Sequence, residues 1–160
     1  MYTSEALLDL HTRGHWTLRR LLEHCGAFSP EELARELSGF GYPNLRQQFA
    51  HVIGAERYWI GVLQGRMDAD DRDDPYPTTV ALEQWRAEVA ATTDAYLRTA
   101  SAGELNTPRK LSMWGGREGV LMPARVFVRT LTHIYQHQGQ MVAQCRLLGR
   151  PASGLDFPIA

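Results

Sequence analysis

Four long segments of this chain carry apolar residues at the spacing of an α-helix, and together they span most of the sequence. They cover about residues 4–25, 44–64, 80–100 and 123–148. Amphipathic helices of similar length bury their apolar stripes by packing against one another, as in a four-helix bundle. The sequence therefore predicts an all-α fold, with residues 1–160 forming a single domain around one core.

Capping residues mark where these helices begin and end. Ser4 is predicted to cap the first helix, and Asn44 the second. Between them, Ser29 and Glu32 have the spacing of a capping box, which predicts a short extra helix that ends near residues 39–41. Gly149 follows the last helix at the position where a left-handed residue commonly ends one.

Three stretches lack a helical pattern. Residues 67–78 are rich in aspartate but lack the spaced glycine and final glutamate of an EF-hand, so we expect a solvated loop. Residues 105–121 contain several glycines and are predicted to form an irregular loop or a short hairpin before the last helix. Trp114 and Arg117 in this stretch are candidate pocket-wall residues. The tail around residues 153–157 is expected to extend along the bundle.

The charge balance argues against several classes of partner. The net charge is −1, so no overall field attracts the chain to nucleic acid or to an anionic membrane. Its 16 arginines and one lysine are scattered, although arginines beside a pocket can still bind an anionic substrate. The N-terminus lacks the features of a signal peptide, and no apolar stretch approaches the roughly 20 residues that span a bilayer. We expect a cytoplasmic protein.

The two cysteines, Cys25 and Cys145, both fall in predicted helices. Two cysteines without a CxxC motif make neither a zinc ribbon nor a disulfide framework. We interpret them as free thiols, buried or half-buried, of a reduced cytoplasmic protein.

The last predicted helix carries a histidine pair, His133 and His137, whose spacing puts both rings on one helical face. His51 lies at the edge of the apolar stripe of the second helix, where Gly54 and Ala55 would leave space beside its ring. Three imidazoles converging from two helices can hold a divalent ion and leave a coordination position open, as in catalytic metal sites.

The first helix offers a rival pair with the same spacing, His11 and His15, with His24 further along. The neighbouring residues 12–14 are Thr, Arg and Gly, so we interpret this pair as part of a solvated face.

Several enzyme classes are excluded because the chain lacks the motifs that their chemistry needs. The chain has no HExxH motif of zincin proteases, no ExxH motif of carboxylate-bridged di-iron bundles, no GxSxG motif and no P-loop. Cys145 lies eight residues after His137, about 12 Å along a helix, which is too far for direct activation.

Four blocks of this sequence resemble the DinB/YfiT-like superfamily of metalloenzymes. They are HWTLRRLL at residues 15–22, SPEEL at 29–33, YPNLRQQFAHVIGAERYW at 42–59, and the stretch 131–157 with its two histidines and the closing LDF. The single motifs are loose, but their order and spacing are specific, and together they cover nearly the whole chain.

The resemblance implies a four-helix bundle with a non-sequential connection and, commonly, a homodimer. It also implies a divalent ion, often zinc or nickel, held by His51, His133 and His137. One departure is Gln138, where the family often has arginine. This difference leaves the ligands intact and puts one surface or pocket charge in doubt.

Characterised members of the superfamily include enzymes that use a low-molecular-weight thiol, mycothiol or bacillithiol. The resemblance thus implies a metal-dependent thiol S-transferase acting on a small electrophile, whose metal lowers the pKa of the bound thiol. A metal-dependent hydrolase and a dimeric stress-response scaffold that binds a metal or ligand without turnover remain alternatives. Tyr58, Trp114, Arg117 and Gln140 are candidates for roles near the metal that the sequence does not assign.

Overall fold

A computed structural model describes residues 1–66, 75–152 and 155–159 of the chain. It contains six helices and one β-hairpin within these ranges. In chain order the elements are α1 (Ser4–Cys25), α2 (Pro30–Leu33), α3 (Leu45–Leu63), α4 (Thr79–Thr99), α5 (Ala102–Asn106), β1 (Arg109–Met113), β2 (Arg117–Leu121) and α6 (Pro123–Leu147). The prediction of an all-α bundle with a short extra helix is confirmed.

The four long helices pack against one another in a non-sequential order and bury apolar side chains between them. Helix α1 packs against α4 and α6, and α3 packs against the same two helices. Helices α1 and α3 therefore lie diagonally across the bundle, although they follow each other in the chain apart from the short α2. Fully buried side chains from all four helices fill the interior, among them Leu18, Phe49, Leu82 and Ile134. Two sites follow from this order, one where α3 meets α6 and one where α3 faces α1.

The helix ends agree with most of the capping predictions. Asn44 caps α3 by accepting a hydrogen bond from the Gln47 amide, and Ser29 and Glu32 form the complete capping box of α2. The cap of α1 is Thr3 rather than Ser4, a shift of one residue. Helix α2 ends at Leu33, well before residues 39–41, so the prediction of its length was wrong.

The stretch before α6 contains the short hairpin. Strands β1 and β2 are antiparallel, with Leu111 opposite Gly119. Their connection, Trp114–Gly116, is a 3₁₀ turn in which Gly115 and Gly116 have φ of 74° and 70°, a region that side chains with a Cβ rarely adopt. The glycines that made this segment look irregular are thus what allows the tight turn.

Helices α1 and α6 pack closely at Gly14, where there is no room for a Cβ atom. A Cβ at this position would lie 2.5 Å from the Leu131 side chain of α6. The absence of a side chain at Gly14 therefore permits close packing between the two helices.

The remaining sequence expectations have mixed outcomes. Cys25 and Cys145 are free, fully buried thiols whose sulfur atoms lie 3.6 Å apart between α1 and α6. Among the described residues, no helix is both long and apolar enough to cross a membrane. Most of the aspartate-rich stretch (residues 67–74) and the start of the tail (153 and 154) lie outside the described residues.

Candidate metal centre

Three histidines that are far apart in the sequence meet where α3 packs against α6. His51 comes from α3, and His133 and His137 come from successive turns of α6. Each ring offers a nitrogen, and these nitrogens all lie within 4.8 Å of one another. The geometry brings together the three residues that the sequence singled out as metal ligands.

The distances within this cluster fit a single small ion. The Nε2 atoms of His51 and His133 are 3.2 Å apart. Two nitrogens bound to one tetrahedral zinc ion at 2.0–2.1 Å would be about 3.3 Å apart. The His137 ring centroid lies 4.4 Å from that of His133 and 4.8 Å from that of His51, so all three rings surround one point.

A buried glutamine, Gln48, fixes the orientation of His137. Its Oε1 accepts a hydrogen bond from His137 Nδ1 at 2.6 Å, which leaves the lone pair of Nε2 available for an ion. The Gln48 amide nitrogen donates to Gln140 Oε1 and to the Tyr42 carbonyl, both at 3.0 Å. Since every polar group of Gln48 is used, its side chain cannot turn over without losing a bond.

The sequence interpretation missed Gln48, although it lies one helical turn before His51 on α3. A polar residue three positions from a candidate ligand was the available signal, because such residues share a helical face. Gln140, for which the sequence assigned no role, is part of this same supporting network.

The surroundings of the three histidines favour neutral rings. Burial lowers the pKa of His51 to about 4, with a further contribution from His137. The pKa of His133 is also lowered to about 4, first by burial and then by the neighbouring charges of His137, His51 and Arg129. Burial lowers the pKa of His137 as well. Neutral imidazole is the form that binds a metal ion, so the cluster does not need to lose protons at neutral pH.

Tyr42 covers one side of the cluster. Its ring stacks on His51 with centroids 4.0 Å apart and planes 22° apart, and its edge contacts His137. The same residue accepts from Gln48 through its backbone carbonyl. Tyr42 therefore helps to fix two of the three rings.

The rival pair, His11 and His15, is not a solvated face, and that interpretation was wrong. The two residues are only 8% and 6% exposed, and both rings donate toward a carboxylate on the diagonal helix α3, that of Glu56. The distances are 2.8 Å from His11 and 2.7 Å from His15, and the hydroxyl of Thr93 donates to the same carboxylate at 2.7 Å. His24 lies apart from them, near the Arg150 carbonyl.

This buried cluster of His11, His15 and Glu56 can also be considered as a metal site, because its ligand atoms lie equally close together. The guanidinium of Arg86 argues against it. It donates to His15 Nδ1 at 2.9 Å, so the hydrogen of this ring is on Nε2, the atom that would have to bind the ion. Arg86 is itself held by two bonds to Glu83.

The protonation of His11 points the same way. Burial opposes its charge, but Glu56 and Asp94, which flank the two ring nitrogens at 2.8 Å each, outweigh burial and raise the pKa of His11. Burial likewise opposes the charge of Glu56, yet the imidazoles of His15 and His11 hold its pKa well below the usual value. Protonated His11 and ionised Glu56 therefore form a buried ion pair, in which ring hydrogens occupy the positions that an ion would need.

The other candidates lie away from both clusters. Tyr58 accepts a hydrogen bond from the Trp114 backbone amide and so attaches the tip of the hairpin to α3. Trp114 is 66% exposed and Arg117 is exposed as well, so neither forms a buried wall. Gln138 is buried and donates to Thr17 of α1, so the departure from arginine falls on the α1 side of α6 and not on the surface.

The comparisons with known proteins agree with this fold. A model of the DinB superfamily matches residues 13–141, and the chain belongs to this superfamily. A crystal structure of a DinB-like protein from Bacillus cereus ATCC 10987 superposes with a TM-score of 0.76 at 19% sequence identity, covering 96% of this chain and 99% of that chain. At this identity the likeness shows the fold alone. No curated protein matches the chain.

Proposed function

We propose that His51, His133 and His137 bind one divalent ion, zinc or nickel, and that the protein is a metal-dependent thiol S-transferase acting on small electrophiles. The observation that carries the metal assignment is the hydrogen bond between His137 Nδ1 and Gln48 Oε1, 2.6 Å long. Gln48 Oε1 accepts this hydrogen bond from His137 Nδ1, which leaves the lone pair of Nε2 available for an ion. A hydrogen-bond acceptor behind a metal-binding histidine is the usual support of such a site.

The two histidine clusters differ in the room that they leave for a substrate. The cavity beside His11 and Glu56 measures only about 20 Å³, enough for about one water molecule. His51 and His133 are half-buried, so solvent reaches part of the metal cluster. Three protein ligands leave a fourth position of a tetrahedral ion for water or substrate.

The chain's own residues would hold and orient the reactants. An ion bound here supplies Lewis acidity, which lowers the pKa of a thiol that takes the open position. The Gln48 acceptor keeps His137 from turning away, and Tyr42 restricts the ring of His51 by stacking. The lowered pKa values of His51 and His133 keep these rings free of protons that would compete with the ion.

The test is to load the purified protein with cobalt(II) and record its visible spectrum with and without a small thiol. We expect bands of a four-coordinate site and, with the thiol, a new sulfur-to-cobalt charge-transfer band. His137→Ala should show neither. Cobalt bands without a thiol-dependent change would contradict the transferase and favour the scaffold or the hydrolase. Hydrolysis of an activated ester by the zinc form, absent in His137→Ala, would then identify the hydrolase.

Turnover is measured separately, as the thiol-dependent loss of 1-chloro-2,4-dinitrobenzene with the zinc-loaded and nickel-loaded protein. A rate above that of the His137→Ala variant supports a transferase. The homodimer, which the resemblance implies, and the cytoplasmic location, which the sequence predicts, stay predictions that sedimentation and cell fractionation would test.

A further inference from the structure

A pocket of about 280 Å³ lies beside the end of α3 and the start of α6, under the hairpin. Trp59 of α3 and Arg125 and Arg129 of α6 line it, with Val120, Leu121 and Met122 of the hairpin region on another side. This volume is close to the lower limit of ordinary small-molecule sites, which begin at about 300 Å³.

The pocket is on the same interface as the metal cluster. Arg129 lies one turn before His133 on α6, about 6 Å along the helix, and Arg125 lies one further turn away. On α3, Trp59 lies two turns after His51.

The pocket carries positive charge without a matching carboxylate. None of the described residues that line it is acidic, and neither Arg125 nor Arg129 has an ion pair or a side-chain hydrogen bond among the described residues. Arg129 instead lies over the Trp59 ring, 5.0 Å from its centroid. Glu118, on the adjoining strand, pairs with Lys110 at 2.6 Å. Two cations beside an aromatic ring suit an anion with a flat or apolar body.

We propose that this pocket binds the anionic end of the substrate. The substrate would be a small molecule with a carboxylate or phosphate group, whose reacting group lies about 6–12 Å away at the metal cluster. The inference rests on the proposed function for the reacting end. The anion site itself depends only on Arg125, Arg129 and Trp59. Guanidinium groups pair with both kinds of anion through two parallel hydrogen bonds.

The test measures binding of three probes by titration calorimetry: phenylacetate, phenyl phosphate and the neutral phenylacetamide. Phenylacetate and phenylacetamide share a ring and differ in charge, so their ratio of dissociation constants isolates the anion. We expect at least one anion to bind about tenfold more tightly than the amide, a preference that falls with added salt. The stronger of the two anions identifies the chemical class.

The arginine variants supply the control. Arg129→Gln should reduce the preference for the anion. The double variant, Arg125→Gln with Arg129→Gln, should abolish it. Arg146→Gln removes an exposed arginine from the far end of the same helix and should leave it unchanged. Equal binding of anions and amide, or a preference that survives in the double variant, would overturn the proposal.

Metal content measured on the same samples separates the two hypotheses. Anion preference in a protein that holds no metal would support the pocket and refute the metal-dependent function. Bound metal without anion preference would do the reverse.

Discussion

The two histidine clusters of this protein begin from the same sequence pattern and become different structures. Each has a pair of histidines one turn apart on a long helix, His11 and His15 on α1 or His133 and His137 on α6. Helix α3 faces both pairs. It presents His51 to α6 and, five residues later and about 140° around the helix, Glu56 to α1.

The facing side chain decides what each pair holds. A third imidazole adds a neutral ligand and favours unprotonated rings, whereas a carboxylate holds a proton on His11 and closes the cluster as an ion pair. Arg86 completes this second arrangement by fixing the His15 tautomer. The ion pair joins α1, α3 and α4, whereas the three-histidine cluster is the one that we propose binds an ion.

Removing the charge of Glu56 tests whether the second cluster stabilises the fold. Glu56→Gln removes one of the two carboxylates that pair with buried, protonated His11 and leaves only Asp94, and loss of one member of a buried pair costs about 3–5 kcal/mol. We expect urea unfolding to show a loss of this size with bound metal unchanged. Glu88→Gln, an exposed glutamate on α4, is the control and should stay within about 0.5 kcal/mol of wild type. A loss below about 1 kcal/mol in Glu56→Gln would contradict the role of the ion pair.

Gln48→Leu tests the support of the metal cluster. The apolar side chain keeps the volume but leaves His137 Nδ1 without an acceptor, so metal affinity should fall about 10–100-fold in a competition titration with a chelator. Gln144→Leu is a matched control, because Gln144 is another buried glutamine that donates to the Tyr42 carbonyl but has no hydrogen bond to a histidine. Equal affinity in the two variants would show that Gln48 does not position the ligand.

The smallest expected effect is a pH dependence of the free energy of unfolding, which also distinguishes the two clusters. Because the pKa of His11 is raised, its contribution is complete below the ordinary histidine pKa of 6.5 and is lost as pH rises through its folded value. The lowered pKa of Glu56 gives a contribution that is present above 4.5 and lost as pH falls through its folded value. His11→Asn should therefore lose less stability, relative to wild type, at alkaline pH than at pH 6. A difference independent of pH would contradict the protonated state of His11.

Much of the fold was predictable because its signals are local. The apolar spacing located the four long helices within one or two residues, and Asn44 and Ser29 marked helix starts through bonds to amides three residues away. The hairpin was harder to predict, since its turn depends on glycine conformations and its attachment on a contact between Tyr58 and Trp114 across 56 residues.

The candidate site was predictable only in part, because several of its contacts join residues that are far apart in the sequence. The three metal-cluster histidines were found through spacing and family resemblance. The polar neighbours of His11 gave the wrong impression, because Thr12 does face solvent while His11 and Gly14 turn inward toward other helices. The sequence of α1 does not show that its histidines face the Glu56 carboxylate of α3. In the same way, the sequence of α6 does not show that Gln48 accepts a hydrogen bond from His137.

Elemental analysis of the purified, untagged protein tests the central claim most directly. Wild type, His137→Ala and His15→Ala are measured side by side after exposure to zinc or nickel. We expect about one ion per chain in the wild type and in His15→Ala, and none in His137→Ala. Metal retained in His137→Ala and lost in His15→Ala would show that the roles of the two clusters are reversed, and no metal in the wild type would refute the site.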